Sequence, residues 1–302
     1  MNFVARITRR WALAALASLA LASSSAFAAE IRVVTSGAFT EAYKKLIPLY
    51  EQASGHTVVS AFGASIGNAP DSIPSRFARG ERFDLVILSE GGLEALVRDG
   101  KVLEGSRVDL ARSQIGAAVR KGTPKPDIST VEALRQTLLN AKSVAYSASA
   151  SGTYLSTELF PKLGVDERLK VTGRKILSER VGAVVARGDA ELGFQQVSEL
   201  IYFKELDFIG TLPQEVQQTI FFSAGLVAGS TQADAARHLV RFLSSPAVAE
   251  IVRATGLDPA GGPQDAKAKS AAQRGSTRAN YAVRRSDHPT AFQTSRVAGI
   301  EK

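Results

Sequence analysis

The chain is an α/β sequence whose pattern predicts two lobes, each a three-layer αβα sandwich around a mostly parallel sheet. Three observations lead there. Short apolar runs of strand length alternate with helical patterns along the body. Small polar residues stand where strands give way to helices. These junctions form two groups, one near positions 36, 65 and 89, the other near 149–153, 180 and 196. Ligands of open α/β sheets bind beyond the carboxyl ends of strands, so two such groups facing each other make a ligand cleft between the lobes.

The first 28 residues read as an export signal. Arg6, Arg9 and Arg10 precede an apolar stretch at 11–22 that is too short to span a bilayer, and Ala26-Phe27-Ala28 supplies a small-x-small cleavage site. Cleavage after Ala28 into the periplasm is expected, by either the general or the twin-arginine route. An apolar strand at 31–34 then runs into Thr35-Ser36-Gly37, and Phe39, Tyr43, Leu46, Ile47 and Tyr50 share one helical face interrupted by Pro48. Strands follow at 57–62, 83–88, 115–119, 143–146 and 191–196. Ser129 with Glu132 three residues on reads as a capping box. Helices are expected after Ser89, after residue 151, at 181–187, at 234–243 and at 246–255. No Pro- or Gly-rich tether separates the halves. Crossing strands therefore divide the body into lobe 1, residues 29–113 with 225–260, and lobe 2, residues 114–224. The tail at 261–302 has few large apolar residues and reads as disordered.

Charge narrows the function. Of the net +8, the signal carries +3 and the tail +5, which leaves residues 29–260 neutral. A nucleic-acid partner loses its electrostatic basis. There is no cysteine, so disulfides play no part. His56, His238 and His288 lie far apart in the sequence, without metal-ligand spacing, and neither a Gly-x-Ser-x-Gly elbow nor a phosphate-binding loop is present. No metal and no cofactor are expected.

Three junctions remain: Ser36-Gly37, Ser65-Ile66-Gly67 and Ser151-Gly152. Each places a hydroxyl and small neighbours at, or just before, a helix start, where unpaired N–H groups and the helix dipole favour an anion. Each serine alone is also an ordinary N-cap.

The stretches "VVTSGAFTEAYKKLIPLYEQ", "AFGASIGNAPDSI", "RFDLVILSEGGLEALVRDGKV", "SASGTYLSTELFPKLGV" and "SERVGAVVARGDAELGFQQVSEL" resemble the periplasmic molybdate-binding proteins, over about residues 31–257. That resemblance implies the two-lobed periplasmic-binding-protein fold, a monomer, a small anionic ligand and an inner-membrane ABC permease as partner. It also implies a ligand set: Ser36 and Ser65 by their hydroxyls, Ser151 and Arg180 by their backbone N–H groups, and a fifth donor at Gln196, where the family has tyrosine. An amide at 196 and the planar fork of Arg180 suit an organic carboxylate, which is favoured over molybdate. "SIGNAPDSIPSRFARGE", "SGTYLSTELF" and "GFQQVSEL" also resemble a branch that includes a periplasmic aconitate isomerase. The main expectation is capture of an anion for an importer; the alternative is an allylic proton shift between trans- and cis-aconitate. For that chemistry Arg180 would be the polarising cation, with Glu179, Tyr154 and Glu41 as acid/base candidates.

Overall fold

In the computed structural model, residues 28–260 are described; residues 1–27 of the expected signal and the whole tail at 261–302 lie outside them. Eleven strands build two sheets among the described residues. β1 (Glu30–Ser36), β2 (Thr57–Gly63), β3 (Leu85–Ser89), β4 (Val108–Ser113), β10 (Ile220–Leu226) and β11 (Asp258–Pro259) make the first, in the order β11-β4-β10-β3-β1-β2. β5 (Ile115–Arg120), β6 (Val144–Ser147), β7 (Gly173–Ile176), β8 (Leu192–Gln196) and β9 (Leu206–Thr211) make the second, ordered β7-β6-β8-β5-β9.

Both sheets are mixed, where mostly parallel sheets were expected. β1 runs parallel to β2 and β3, and β6 to β7 and β8. β4, β5, β9, β10 and β11 pair antiparallel. The cause lies in the crossings. Only Gln114 separates β4 from β5, so no helix intervenes to turn the chain back along its first direction. Apolar periodicity reveals a strand but not its direction. The return crossing also differs from the expected one. β10 pairs with β3 and β4 from Ile220 onward, so residues 220–224 belong to the first sheet rather than to the second lobe.

Each sheet carries a core on both faces. Ile31, Val33 and Ile87 face Tyr43, Leu46 and Tyr50 of the helix Thr40–Ser54, while Val34, Val86 and Leu88 pack on Ile73, Leu93 and Leu96 behind. This two-sided burial explains why "LVIL" in β3 is apolar without alternation. In the second sheet, Ile115, Ala117 and Phe194 meet Leu134, Leu138 and Phe160; Ala118 and Ala145 meet Val181, Val184 and Val185. The helix Val181–Arg187 has the expected bounds, closed by Gly188 at φ 85°. The cap expected at Ser129 belongs instead to Thr130, whose Oγ1 accepts the Ala133 N–H at 3.1 Å. Ser129 is held one residue earlier by its N–H to Asp127 Oδ1.

One glycine positions the second half of the cleft. The helix Ala150–Tyr154 starts so close behind β6 that a Cβ on Gly152 would stand 1.6 Å from the Ser147 carbonyl oxygen. Gly152→Ala forces backbone to move, and overpacking of this kind costs roughly 1–3 kcal/mol. Urea denaturation should show a loss in that range; an unchanged midpoint would contradict the close approach.

Candidate ligand-binding cleft

A cavity of about 420 Å³ opens between the two sheets. Its walls come from the carboxyl ends of β1, β2, β6, β7 and β8 and the segments that follow them. Ser65, Ser151, Arg180 and Gln196 line it, as does Gly37 beside Ser36. The structure therefore brings the sequence-derived residues to one place, although 160 positions separate the first from the last.

Their local states differ. Ser36 closes β1 in extended conformation, φ −93° and ψ 164°, before a single 3-10 turn, Gly37–Phe39, and makes no side-chain cap bond. Its Oγ is buried with no hydrogen-bond partner among the described residues. Ser36 is thus not spent on capping. Ser65 Oγ accepts the Ser89 N–H at 3.0 Å, which ties the β2 loop to the end of β3. Ser151 Oγ lies 3.2 Å from Ser147 Oγ. Gln196 is buried, and neither its Nε2 nor its Oε1 has a partner among the described residues. Arg180 precedes the helix Val181–Arg187, and its guanidinium donates to Glu41 Oε1 at 2.9 Å, across the cleft from the first sheet's helix.

The three acid/base candidates named from the sequence are engaged elsewhere. Burial works to raise the Glu41 carboxyl, but the hydrogen bond and charge of Arg180, with Lys44 beside it, hold it below its usual range. Glu179 lines the rim, where both its oxygens take Arg187 N–H groups at 2.8 and 3.1 Å. Tyr154 donates to the Val216 carbonyl at 2.7 Å. His56 and His238, distant in sequence, come to 6.0 Å between ring centroids, and Tyr50 Oη lies 3.2 Å from His238 Nδ1. Among the described residues no cluster of metal-binding side chains forms.

Sequence reasoning missed one buried acid on the cavity wall. Glu199, in the short helix Val197–Leu200 after β8, is buried on the cavity wall. Its Oε1 accepts from Gln195 Nε2 at 2.9 Å, and Gln195 Oε1 in turn accepts the Val181 N–H at 2.9 Å. Burial pushes the carboxyl up to about 7, against the Arg180 charge and the Gln195 hydrogen bond, which act to lower it. A Cβ on Gly37 would lie 2.1 Å from Glu199 Oε1, so the carboxyl rests directly on bare backbone of the other sheet. The Gln195–Glu199 spacing of four was a visible signal, but the need for a side-chain-free residue at 37 was not. Asp71 also lines the cavity, with Oδ1 unpartnered among the described residues.

Two outcomes follow from this geometry. Ser65→Ala strands a buried N–H and should lower stability by about 1–3 kcal/mol, whereas Ser36→Ala should leave stability unchanged and weaken an anion by about 1.5–3 kcal/mol. Denaturation and titration of both variants separate these effects; equal stability loss in both would return Ser36 to a structural role. Glu199 sets a pH slope. Its folded carboxyl titrates near 7 and its unfolded one near 4.5, so in between the native state holds a proton that the unfolded chain releases. Stability contributed by this group is complete below about 4.5 and declines as pH rises towards 7. Glu199→Gln should flatten that decline in a series of denaturation curves, and an unaltered slope would contradict the buried titration.

The family model for bacterial extracellular solute-binding proteins matches residues 31–258. An aconitate isomerase from Pseudomonas sp is 43% identical over 249 residues, covering 81% of this chain and 95% of that protein. A molybdate-binding protein of Rhodobacter capsulatus is 28% identical over 249 residues, covering 81% and 93%. Among solved structures, the periplasmic molybdate-binding protein of Azotobacter vinelandii superposes with a TM-score of 0.61 at 21% identity, covering 75% of this chain and 98% of that one. The shared fold, two α/β lobes around a cleft lined by strand ends, and the match along almost the whole described body place this chain in the bacterial extracellular solute-binding protein family.

Proposed function

We propose that the cleft holds a small organic polycarboxylate and that the protein isomerises an unsaturated acid of the aconitate type by an allylic proton shift. The carrying observation is Gln196. A buried amide whose two polar atoms have no partner among the described residues, on the wall of a cavity that Arg180 also lines, suits planar carboxylates better than a closed cage of hydroxyl and N–H donors around one tetrahedral ion. About 420 Å³ lies within the roughly 300–1,000 Å³ range of organic-ligand pockets. The similarity to an aconitate isomerase supports the same reading.

In this reading Ser36, Ser65 and the N–H groups at Ser151 and Arg180 hold carboxylate oxygens, and no metal or cofactor takes part. Removing a proton from the methylene spreads negative charge over the outer carboxylates, which the Arg180 guanidinium would stabilise. Export, with cleavage after Ala28, would place a monomer in the periplasm. The second reading is capture of the same class of anion for an ABC permease, and the solute-binding family match favours it.

Purified protein incubated with trans-aconitate should yield the cis isomer, followed by chromatography. A thermal-shift series with molybdate, tungstate, sulfate, citrate and both aconitates should favour the tricarboxylates, with about 2.7 kcal/mol added at 100 times Kd. Arg180→Ala should then weaken binding by about 2–5 kcal/mol, and Gln196→Tyr should weaken it too. Aconitate binding without conversion would leave the capture reading alone. Tight molybdate binding with Arg180→Ala silent would remove the carboxylate.

A further inference from the structure

We propose that Glu199 is the group that moves the proton, taking it from one outer carbon of the bound acid and returning it to the other. The inference rests on the isomerase reading above. Four observations carry it. Glu199 lines the cavity itself, unlike Glu41 and Tyr154, and is not locked in an ion pair, unlike Glu179. Its Oε1 is anchored by Gln195, and Gln195 is fixed to the Val181 N–H, so the carboxyl has a defined position. Its Oε2 makes no hydrogen bond among the described residues and remains available. It also stands over Gly37, the residue after Ser36, whose hydroxyl has no partner among the described residues, so an anion held at the end of β1 would bring its carbon chain near this carboxyl.

The step balances without a co-reactant. The methylene C–H bond breaks and the proton passes to the Glu199 carboxylate. The released electron pair forms a double bond to the central carbon, and the pair of the old double bond moves to the opposite outer carbon. That carbon takes the proton back from Glu199. Nothing is oxidised or reduced, and the two arms of the acid have exchanged roles. One group serves because the two carbons lie on either side of one centre. A carboxyl titrating near 7 can both take and give a proton at neutral pH, and in its protonated form it does not repel the incoming anion. The charged groups around it are Arg180 ahead of the neighbouring helix and, along the cavity, Lys44, Asp71 and Glu179; the 3-10 turn packed against its own helix has none.

The test uses wild type, Glu199→Gln and Glu199→Asp with trans-aconitate in D₂O, followed by proton NMR, with thermal shift by trans-aconitate as the binding readout. Glu199→Gln should still be stabilised by trans-aconitate, while deuterium entry at the methylene and cis product both fall by at least about 100-fold. Glu199→Asp should keep reduced conversion, and the wild-type pH profile of kcat/KM should show a limb near 7 that Glu199→Asp displaces. Glu199→Gln converting at the wild-type rate would overturn the assignment, as would full loss in Asp71→Asn with activity kept in Glu199→Gln. If Glu199→Gln is misfolded by circular dichroism, Glu199→Asp decides: an unchanged rate and pH profile overturns the proposal. Wild type that binds trans-aconitate yet neither exchanges nor converts it removes the isomerase reading itself, a result distinct from the others.

Discussion

The contact between the Glu199 carboxyl and the bare backbone of Gly37 sets the terms for the rest of the cleft. It brings an acid of the second sheet against the end of β1 in the first, where burial leaves little water to solvate a charge. An unpaired buried carboxylate is expensive, and the protein answers with one hydrogen bond from Gln195 and a pKa near 7 rather than with a full ion pair. Any side chain at 37 would displace it. Other ties also cross the cleft. Arg180 meets Glu41 at 2.9 Å, with both side chains partly exposed, and Lys45 lies over the Tyr202 ring at 5.6 Å. Partly exposed pairs of this kind contribute on the order of 0–1 kcal/mol, so a ligand can add substantially to closure.

Around that contact the polar groups are unevenly satisfied, and the pattern is informative. Ser65, Ser147 and Gln195 are bonded within the protein and hold the loops in shape. Ser36 and Gln196 are buried, and their side chains have no hydrogen-bond partner among the described residues. A polar atom left so typically costs about 1–3 kcal/mol, which an outside partner for Gln196 on the cavity wall, or for Ser36 beside Gly37, would recover. The strand ends supply position, and the glycines allow close approach of backbone.

Much of this was legible in the sequence where a local rule decides it. The helix Val181–Arg187 is bounded by an apolar pattern and Gly188, and both can be read directly. Ser36, Ser65 and Ser151 stand out because a hydroxyl with a glycine one or two residues on, after a strand, is a local signature. What required the fold was relational. Strand direction in β4, β5, β9 and β10 depends on how the chain crosses between sheets, and the assignment of residues 220–224 depends on the pairing of β10. The cap at Thr130 rather than Ser129 turned on one residue's backbone angles. Glu199 was invisible because its environment is made by Gly37, 162 positions away. Glu41 and Glu179 looked equally available until Arg180 and Arg187 were seen to occupy them.

A crystal structure of the protein with trans-aconitate would test the central claim most directly. It should show one ligand carboxylate within hydrogen-bond distance of Ser36 Oγ, another against Gln196 or Arg180, and an outer carbon facing Glu199 Oε2. A ligand bound elsewhere, or one in the cleft with Ser36 and Gln196 still unpartnered and Glu199 turned away, would contradict it.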